Sequence, residues 1–338
     1  MSIKVIAIAG PTASGKTSAS IEIAKRYNGE IISADSMQIY KYMDIGTAKP
    51  DEAERDGILH HMFDVVEPWE EYSVAEYAKD ATAAIKKVAE KGKLPILCGG
   101  TGLYINTLVE NIKYDASPEM NIEILAEIEK FYEEVKNSKL LELKNDNTDA
   151  ISEEDIKEVA EQTARIELHK MLINEDFEAA EQIHFNNVKR VIRALGMKRS
   201  TGMTLAQRNA ASKSTPSEFD FTVYAIETQR EKLYERINLR VDLMLEAGLL
   251  DEVQNVLKIC EEAYKKGLSP QNGLSRTALQ AIGYKEFINY FNGKCNLEEA
   301  VERVKQGSRN YAKRQLTWFR KPSWVNWIKL DELKNITL

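Results

Sequence analysis

The 338-residue sequence predicts an α/β fold, a parallel sheet of short strands alternating with helices and carrying a helical insertion. Three observations lead there. Short Ile- and Val-rich runs closed by glycine or proline alternate with segments of helical period. A G-x-x-x-x-G-K-T motif joins the first run to the first helical segment. A long acidic stretch, poor in strand formers, then separates this part from one more strand-like run.

The elements follow in chain order. Residues 3–9 form an apolar run ended by Gly10 and Pro11, and 17–27 have helical spacing in Ala19, Ile21, Ile23 and Ala24. Residues 30–33 read as a second strand, 75–90 as a helix, and 94–98 as a third strand closed by Gly99 and Gly100. Residues 221–227 (FTVYAIE) read as a further strand far along the chain. Strands alternating with helices imply parallel pairing. From Asp115 to Glu181 there are 20 acidic and 7 basic residues in a helical pattern, with the most loop-like part, 145–155, holding a hinge or tip at 145–150. The division expected is a core over 1–112, the insertion over 113–184, and a second core part with basic C-terminal helices over 185–338.

Composition excludes several classes. The chain is 43% hydrophobic with only 17 Gly and 8 Pro, so neither a fibrous nor a disordered chain fits. Cys98, Cys260 and Cys295 are an odd, widely spaced set with no disulfide framework, which points to a reducing cytoplasm. The N-terminal run is too short for a secretory signal, and no stretch approaches ~18 apolar residues, so no membrane partner is expected. The net charge of −7 hides an asymmetry. Residues 182–217 carry seven basic residues (Lys189, Arg190, Arg193, Lys198, Arg199, Arg208, Lys213) and no acid, and 303–321 carry another seven, again without an acid. Two purely cationic segments in an acidic chain point to a polyanion; pairing with the acidic insertion is the alternative.

The motif at 10–17 (Gly10, Pro11, Thr12, Ala13, Ser14, Gly15, Lys16, Thr17) follows a strand and opens a helix. Its glycines let successive backbone N–H groups point into one concavity, and the helix N-terminus adds partial positive charge. Lys16 brings a full charge to a terminal phosphate, and the Thr17 hydroxyl suits Mg²⁺. A P-loop NTPase-like core is therefore expected. No apolar run ending in Asp supplies a convincing second Mg²⁺ carboxylate, so a diphosphate other than a nucleotide stays open. Asp35, just past the second strand, lies at the sheet edge where ligands bind, and can take a proton from a nucleophile or hold Mg²⁺ through water; a helix cap is the alternative. Gly99-Gly100-Thr101-Gly102 follows the third strand to the same edge, where Thr101 can donate to a leaving-group oxygen. The adjacent His60 and His61 lack a third ligand at a metal-like spacing and read as packing; His169 and His184 have no assigned role, and Cys98 reads as a buried apolar residue.

These residues resemble a known family. GPTASGKT at 10–17, SADSMQIYKYMDIGTAKP at 33–50, HHMFDVVEP at 60–68, YSVAEY at 72–77 and LCGGTGLYI at 97–105 are similar to segments of the tRNA dimethylallyltransferases. IHFNNVKRVIRAL at 183–195, RINLRVDLMLEAGLLDEV at 236–253, AIGYKE at 281–286 and AKRQLTWFR at 312–320 continue the likeness in order. The chain departs where it carries Phe177 and Phe185 in place of the family's usual prolines.

The resemblance implies a donor, dimethylallyl diphosphate with Mg²⁺, and an acceptor, the N6 amine of the adenosine next to the tRNA anticodon. It implies Asp35 as the base. It also places a diphosphate-binding arginine in the helix that holds Arg236 and Arg240, with Arg240 favoured. Asp35, Ser36, Met37 and Gln38 would line the pocket for a base taken from its stack. Lys189, Arg190, Val191, Ile192 and Arg193, with Lys313, Arg314 and Gln315, would hold the anticodon stem-loop. Trp318 and Phe319 are either stacking residues or core anchors. A monomer is expected. The competing readings are a P-loop small-molecule kinase, a prenyltransferase acting on a free adenylate, and a non-catalytic RNA-binding ATPase. The acid-free basic segments argue against the first two.

Overall fold

The computed structural model describes residues 2–112, 121–145, 152–212, 217–333 and 335–337. They form two compact units, Met1–Asn111 with Ser217–Leu338, and Ile112–Pro216.

The chain begins with β1 (Ile3–Ala9), the helix α1 (Lys16–Arg26) and β2 (Gly29–Ser33), then a short α2 (Glu52–Arg55) and a two-residue β3 (His60–His61). α3 (Val74–Glu90), β4 (Leu94–Gly99) and α4 (Gly102–Val109) follow. The second unit supplies α5 (Ile122–Asn145), α6 (Glu153–Glu175), α7 (Phe177–Gln182), α8 (Val188–Thr201) and α9 (Leu205–Ser212). The first unit resumes with β5 (Phe219–Glu227), α10 (Arg230–Glu246), α11 (Leu249–Lys265), α12 (Tyr284–Phe291), α13 (Leu297–Phe319), β6 (Val325–Lys329) and α14 (Leu330–Leu333).

All ladders are parallel, and the six strands run in the order β3-β2-β4-β1-β5-β6. Both faces of this sheet are covered, which is why its strands read as continuous apolar runs. The alternation of a strand sends Val5, Ala7 and Ala9 to the face shared with Tyr77, Ala81 and Ile85 of α3. Ile6 and Ile8 go to the other face, against Ala19, Ile23 and Ala24 of α1. The two strands missed in the sequence are both at edges. β3 has only two residues, and β6 (VNWIK) has no fully buried position.

Glu30 shows how the edge is held. Its carboxylate, 2% exposed, meets Lys91 (2.9 Å), Lys93 (2.8 Å) and His61 Nε2 (2.8 Å). Burial, the strongest single influence, raises its pKa, but the hydrogen bonds from Lys93, Lys91 and His61 together outweigh it and hold the pKa at about 2. A group depressed in the folded state stabilises above its ordinary pKa of 4.5 and loses that contribution as pH falls toward 2. A shift of this size corresponds to roughly 3 kcal/mol. Glu30→Gln is expected to lower the urea midpoint at pH 7, and the gap from wild type should narrow at pH 3. A gap of equal size at both pH values would show that the charge cluster is not its source. His61 thus has a structural partner, in keeping with the packing reading of the histidine pair.

In the second unit, α5, α6 and α8 bury one common core, with Ile128, Leu168, Leu172, Val191 and Leu195 fully enclosed. This corrects the expected boundary at 184/185. α8 closes the insertion's own core, so the unit runs through Pro216. Phe177 occupies the first turn of α7 behind the Asp176 cap, a position that accepts proline and phenylalanine alike. Phe185 stacks on His184 at 4.3 Å. Of the expected hinge, 146–150 lies outside the described residues, and Asn145 ends α5. Among the described residues no helix is long and apolar enough to cross a membrane.

Candidate active site

Parallel register puts three loops at one edge. Ala9 pairs with Gly99, and Ser33 pairs with Cys98, so the segments after β1, β2 and β4 leave the sheet at the same level. That is the carboxyl edge, where ligands of open α/β sheets bind.

The phosphate loop is built for an anion. Gly15 turns the chain into α1 at φ +90°, and Leu330 of α14 occupies the space a Cβ would need. Ala13 also sits in the left-handed region at φ 61°, which costs energy for a non-glycine residue and marks functional loops. Ser14 Oγ is buried and has no hydrogen-bond partner among the described residues. Lys16 Nζ donates to Pro11 O at 3.2 Å. Burial pushes the Lys16 pKa down; the neighbouring Arg240 charge pushes the same way, and Cys98 and Asp35 oppose it. Arg240 Nη1 reaches Thr12 Oγ1 at 3.4 Å, and its pKa too is lowered, by burial, against the pull of Glu54 and Asp35. Two cations short of counter-charge and one orphaned hydroxyl fit a diphosphate. Arg236 is exposed one turn earlier on α10, so of the two arginines it is Arg240, the one favoured from the sequence, that sits at the phosphate loop.

For Mg²⁺, Thr17 on the first turn of α1 offers a hydroxyl at the cradle. The described residues hold no cluster of three or more His, Cys, Asp or Glu that would cage a metal. The donor set suits an ion that keeps waters and takes its other oxygens from a phosphate.

Asp35 Oδ1 accepts from Met37 N at 2.9 Å, which folds the residues after β2 into a tight turn rather than a helix cap. The Thr101 hydroxyl accepts from Ser36 N (3.0 Å) and donates to Ser36 Oγ (3.2 Å). Thr101 thus braces the Asp35–Ser36 turn at the edge of the crevice. Gln38 is also committed to the protein: its Oε1 accepts from Ser33 Oγ at 2.9 Å, and its Nε2 donates to Thr47 O (3.3 Å) and Ala48 O (3.1 Å).

A cavity of about 280 Å³ opens at this edge. Its polar wall includes Thr12, Asp35, Ser36 and Arg240; its apolar wall includes Ile237, Val241 and Met244 of α10 with Val304 of α13. Tyr311 also lines it, its phenol pushed up to about 12 by burial and by the Asp35 charge.

Two residues assigned to RNA from the sequence prove internal. Val191 is fully buried in the second unit's core and offers nothing to a ligand, while Ile192 packs partly buried against that core. Gln315 is 4% exposed; its Oε1 accepts from Thr12 N at 2.9 Å and its Nε2 donates to Gly100 O at 3.0 Å. It is a strut between the phosphate loop and the loop after β4. A Cβ at Gly100 would lie 2.1 Å from Gln315 Nε2, so a larger residue there would displace the strut.

Lys189, Arg190 and Arg193 are exposed on α8 with no carboxylate partner among the described residues, whereas Arg199 bonds Glu175 at 2.6 Å. Pairing with the acidic insertion therefore accounts for only part of the basic segment. On α13, Lys305 pairs with Asp242 and Arg309 with Glu302, but Lys313 and Arg314 are exposed. Arg314 also lines the cavity, and with Lys313 and Thr317 it borders a shallow outer groove. Trp318 borders that groove at 41% exposure, and Phe319 is fully buried, so only the second is a core anchor.

Comparison with known proteins bears on this arrangement. A family model described as IPP transferase matches residues 38–322. A tRNA dimethylallyltransferase of Acetivibrio thermocellus is 46% identical over 332 residues, which span 97% of this chain and 92% of the relative. The crystal structure of a tRNA isopentenylpyrophosphate transferase of Bacillus halodurans has a TM-score of 0.61 at 37% identity, covering 98% of this chain and 94% of that one. A eukaryotic dimethylallyltransferase acting on tRNA has a TM-score of 0.70 at 30% identity, covering 97% of this chain and 74% of that one. These relatives favour prenyl transfer over the kinase and free-adenylate readings. The likeness runs through both units and in both sequence and structure, and the chain belongs to the IPP transferase family, the tRNA dimethylallyltransferases.

Proposed function

We propose that this protein transfers the dimethylallyl group of dimethylallyl diphosphate to N6 of the adenosine at position 37 of tRNA, next to the anticodon. The observation that carries the reading is the single cavity in which the Asp35 carboxylate, the Thr12 and Arg240 side of the phosphate loop and an aliphatic wall meet. A diphosphate with a short apolar tail needs both kinds of wall. An amine acceptor needs a carboxylate beside them.

In the reaction, N6 attacks C1 of the dimethylallyl group while the C1–O bond breaks, and its electron pair leaves with the diphosphate. The amine lone pair is delocalised into the purine, so loss of the N6 proton as the bond forms matters; Asp35 takes that proton. Lys16, Arg240 and the loop N–H groups stabilise charge where it develops on the leaving group. The Thr17 hydroxyl would hold Mg²⁺, which would supply further neutralisation of the same charge. Lys313 and Arg314 in the first unit, and Lys189, Arg190 and Arg193 in the second, hold RNA phosphates and position without reading sequence. The protein works as a monomer in the cytoplasm on this reading.

The test combines purified protein, unmodified anticodon stem-loop RNA, Mg²⁺ and dimethylallyl diphosphate, followed by nuclease digestion and mass spectrometry. N6-dimethylallyladenosine is expected, and none when the donor is omitted. No product, together with ATP-dependent phosphorylation of a small acceptor, would sink the reading.

A further inference from the structure

We infer that Glu252 is a positioning residue that sets the wall of the cavity next to Asp35, although it does not itself line the cavity. The inference rests on the transfer reading above and adds to it which part of the protein holds the acceptor side in shape.

The residues from Met43 to Lys49 form no helix or strand, yet Gly46, Thr47 and Ala48 face the cavity beside Asp35, Ser36 and Met37. Turn bonds within the loop engage Ala48 N (to Ile45 O, 3.0 Å) and Lys49 N (to Asp44 O, 2.9 Å). Its remaining donors need a partner from outside the loop, and Glu252, in the first turn of α11, supplies it. Its Oε2 accepts from Asp44 N at 2.9 Å and Ile45 N at 2.7 Å, and its Oε1 accepts from Gly46 N at 2.9 Å. Three successive N–H groups thus close around one carboxylate, an arrangement that favours an anion. The Tyr284 hydroxyl donates a fourth bond to Oε1 at 2.6 Å. Burial first, and then the Glu252 charge, push the Tyr284 phenol well up, so it stays a donor throughout the neutral range.

The loop is gripped at its far end as well. Lys49 Nζ, almost fully enclosed, donates to Asp44 Oδ1 (2.6 Å), Asp64 Oδ1 (2.7 Å) and Tyr40 O (2.9 Å). Between these anchors, Thr47 O and Ala48 O receive the Gln38 amide. A continuous path therefore runs from the Glu252 carboxylate through the loop to the turn that carries Asp35 and Met37. The phosphate loop is held by other groups, the Gln315 strut and Arg240, and among the described residues none of its hydrogen bonds passes through Glu252. Loosening Glu252 should disturb the acceptor side and spare the donor side.

Glu252→Gln keeps the size but sets an amide N–H against backbone N–H groups. The expected result is a rise of about tenfold in KM for the anticodon stem-loop, the scale of one lost charge-assisted bond. KM for dimethylallyl diphosphate should stay within about twofold, since uniform loss of folded protein changes neither constant. Glu252→Asp, which keeps the charge but not the reach, should fall between. Hydrogen–deuterium exchange gives a readout independent of turnover. Exchange over residues 43–49 should rise in Glu252→Gln while residues 10–17 keep their protection. Equal shifts in both KM values, or unchanged exchange over 43–49 in both variants, would overturn the inference. Absence of product from the wild type would instead strike the transfer reading and leave the exchange test standing.

Discussion

Asp35→Asn is expected to lower the single-turnover rate of prenyl transfer by about 10²–10⁴-fold, the range for loss of a positioned general base. The substitution is conservative in shape. An asparagine keeps an Oδ1 that can accept from Met37 N, so the turn after β2 survives. The braces from Thr101 to Ser36 are untouched. What disappears is the proton acceptor alone. RNA affinity, measured by filter binding without donor, should change by no more than about threefold, because phosphate contacts carry most of it. An unchanged rate would remove Asp35 from the role of base. A lost rate together with lost RNA binding would mean that the carboxylate shapes the acceptor pocket instead.

The second large effect separates two arginines four residues apart. Arg240→Gln is expected to lower kcat/KM for dimethylallyl diphosphate by about 10²–10³-fold, the scale of removing one preorganised group that meets developing negative charge. Arg236→Gln should stay within about twofold. Both side chains belong to α10, and their spacing alone places them on one face. They differ in what that face meets along its length. Arg240 falls within the Ile237–Val241–Met244 row that walls the cavity and reaches Thr12, whereas Arg236 lies about 6 Å nearer the helix start, in solvent. Steady-state kinetics at varied donor concentration would decide it. Equal losses in both variants would point to a general charge effect rather than a contact with the diphosphate.

The parts legible in the sequence share a physical basis. β1, β2 and β4 were readable because a sheet covered on both faces demands unbroken apolar runs, and each such run ends at a turn with its own chemistry. The phosphate loop and the Asp35 turn were readable because their function is local: the backbone of a few consecutive residues makes the binding surface. Parallel pairing then placed them together without further information. β3 and β6 were not readable, since two residues carry no period and an edge strand with no fully buried position lacks the pattern.

Helices hide which of their side chains face inward. Val191 and Ile192 lie between Arg190 and Arg193, and Gln315 follows Lys313 and Arg314, so all three looked like parts of basic, RNA-facing segments. Neighbours along a helix point in different directions, and only packing selects the side that is covered. Packing turned Val191 into the second unit and Gln315 onto the phosphate loop, and left the cations outside. By itself the sequence determined the sheet, the cradle for a diphosphate, the carboxylate beside it and the two cationic segments, because each of these is written in the period or the chemistry of contiguous residues. Only the tertiary structure decided between Arg236 and Arg240, made Gln315 a strut, carried the second unit through Pro216 and tied the 43–49 loop to Glu252, because each depends on which distant surfaces meet.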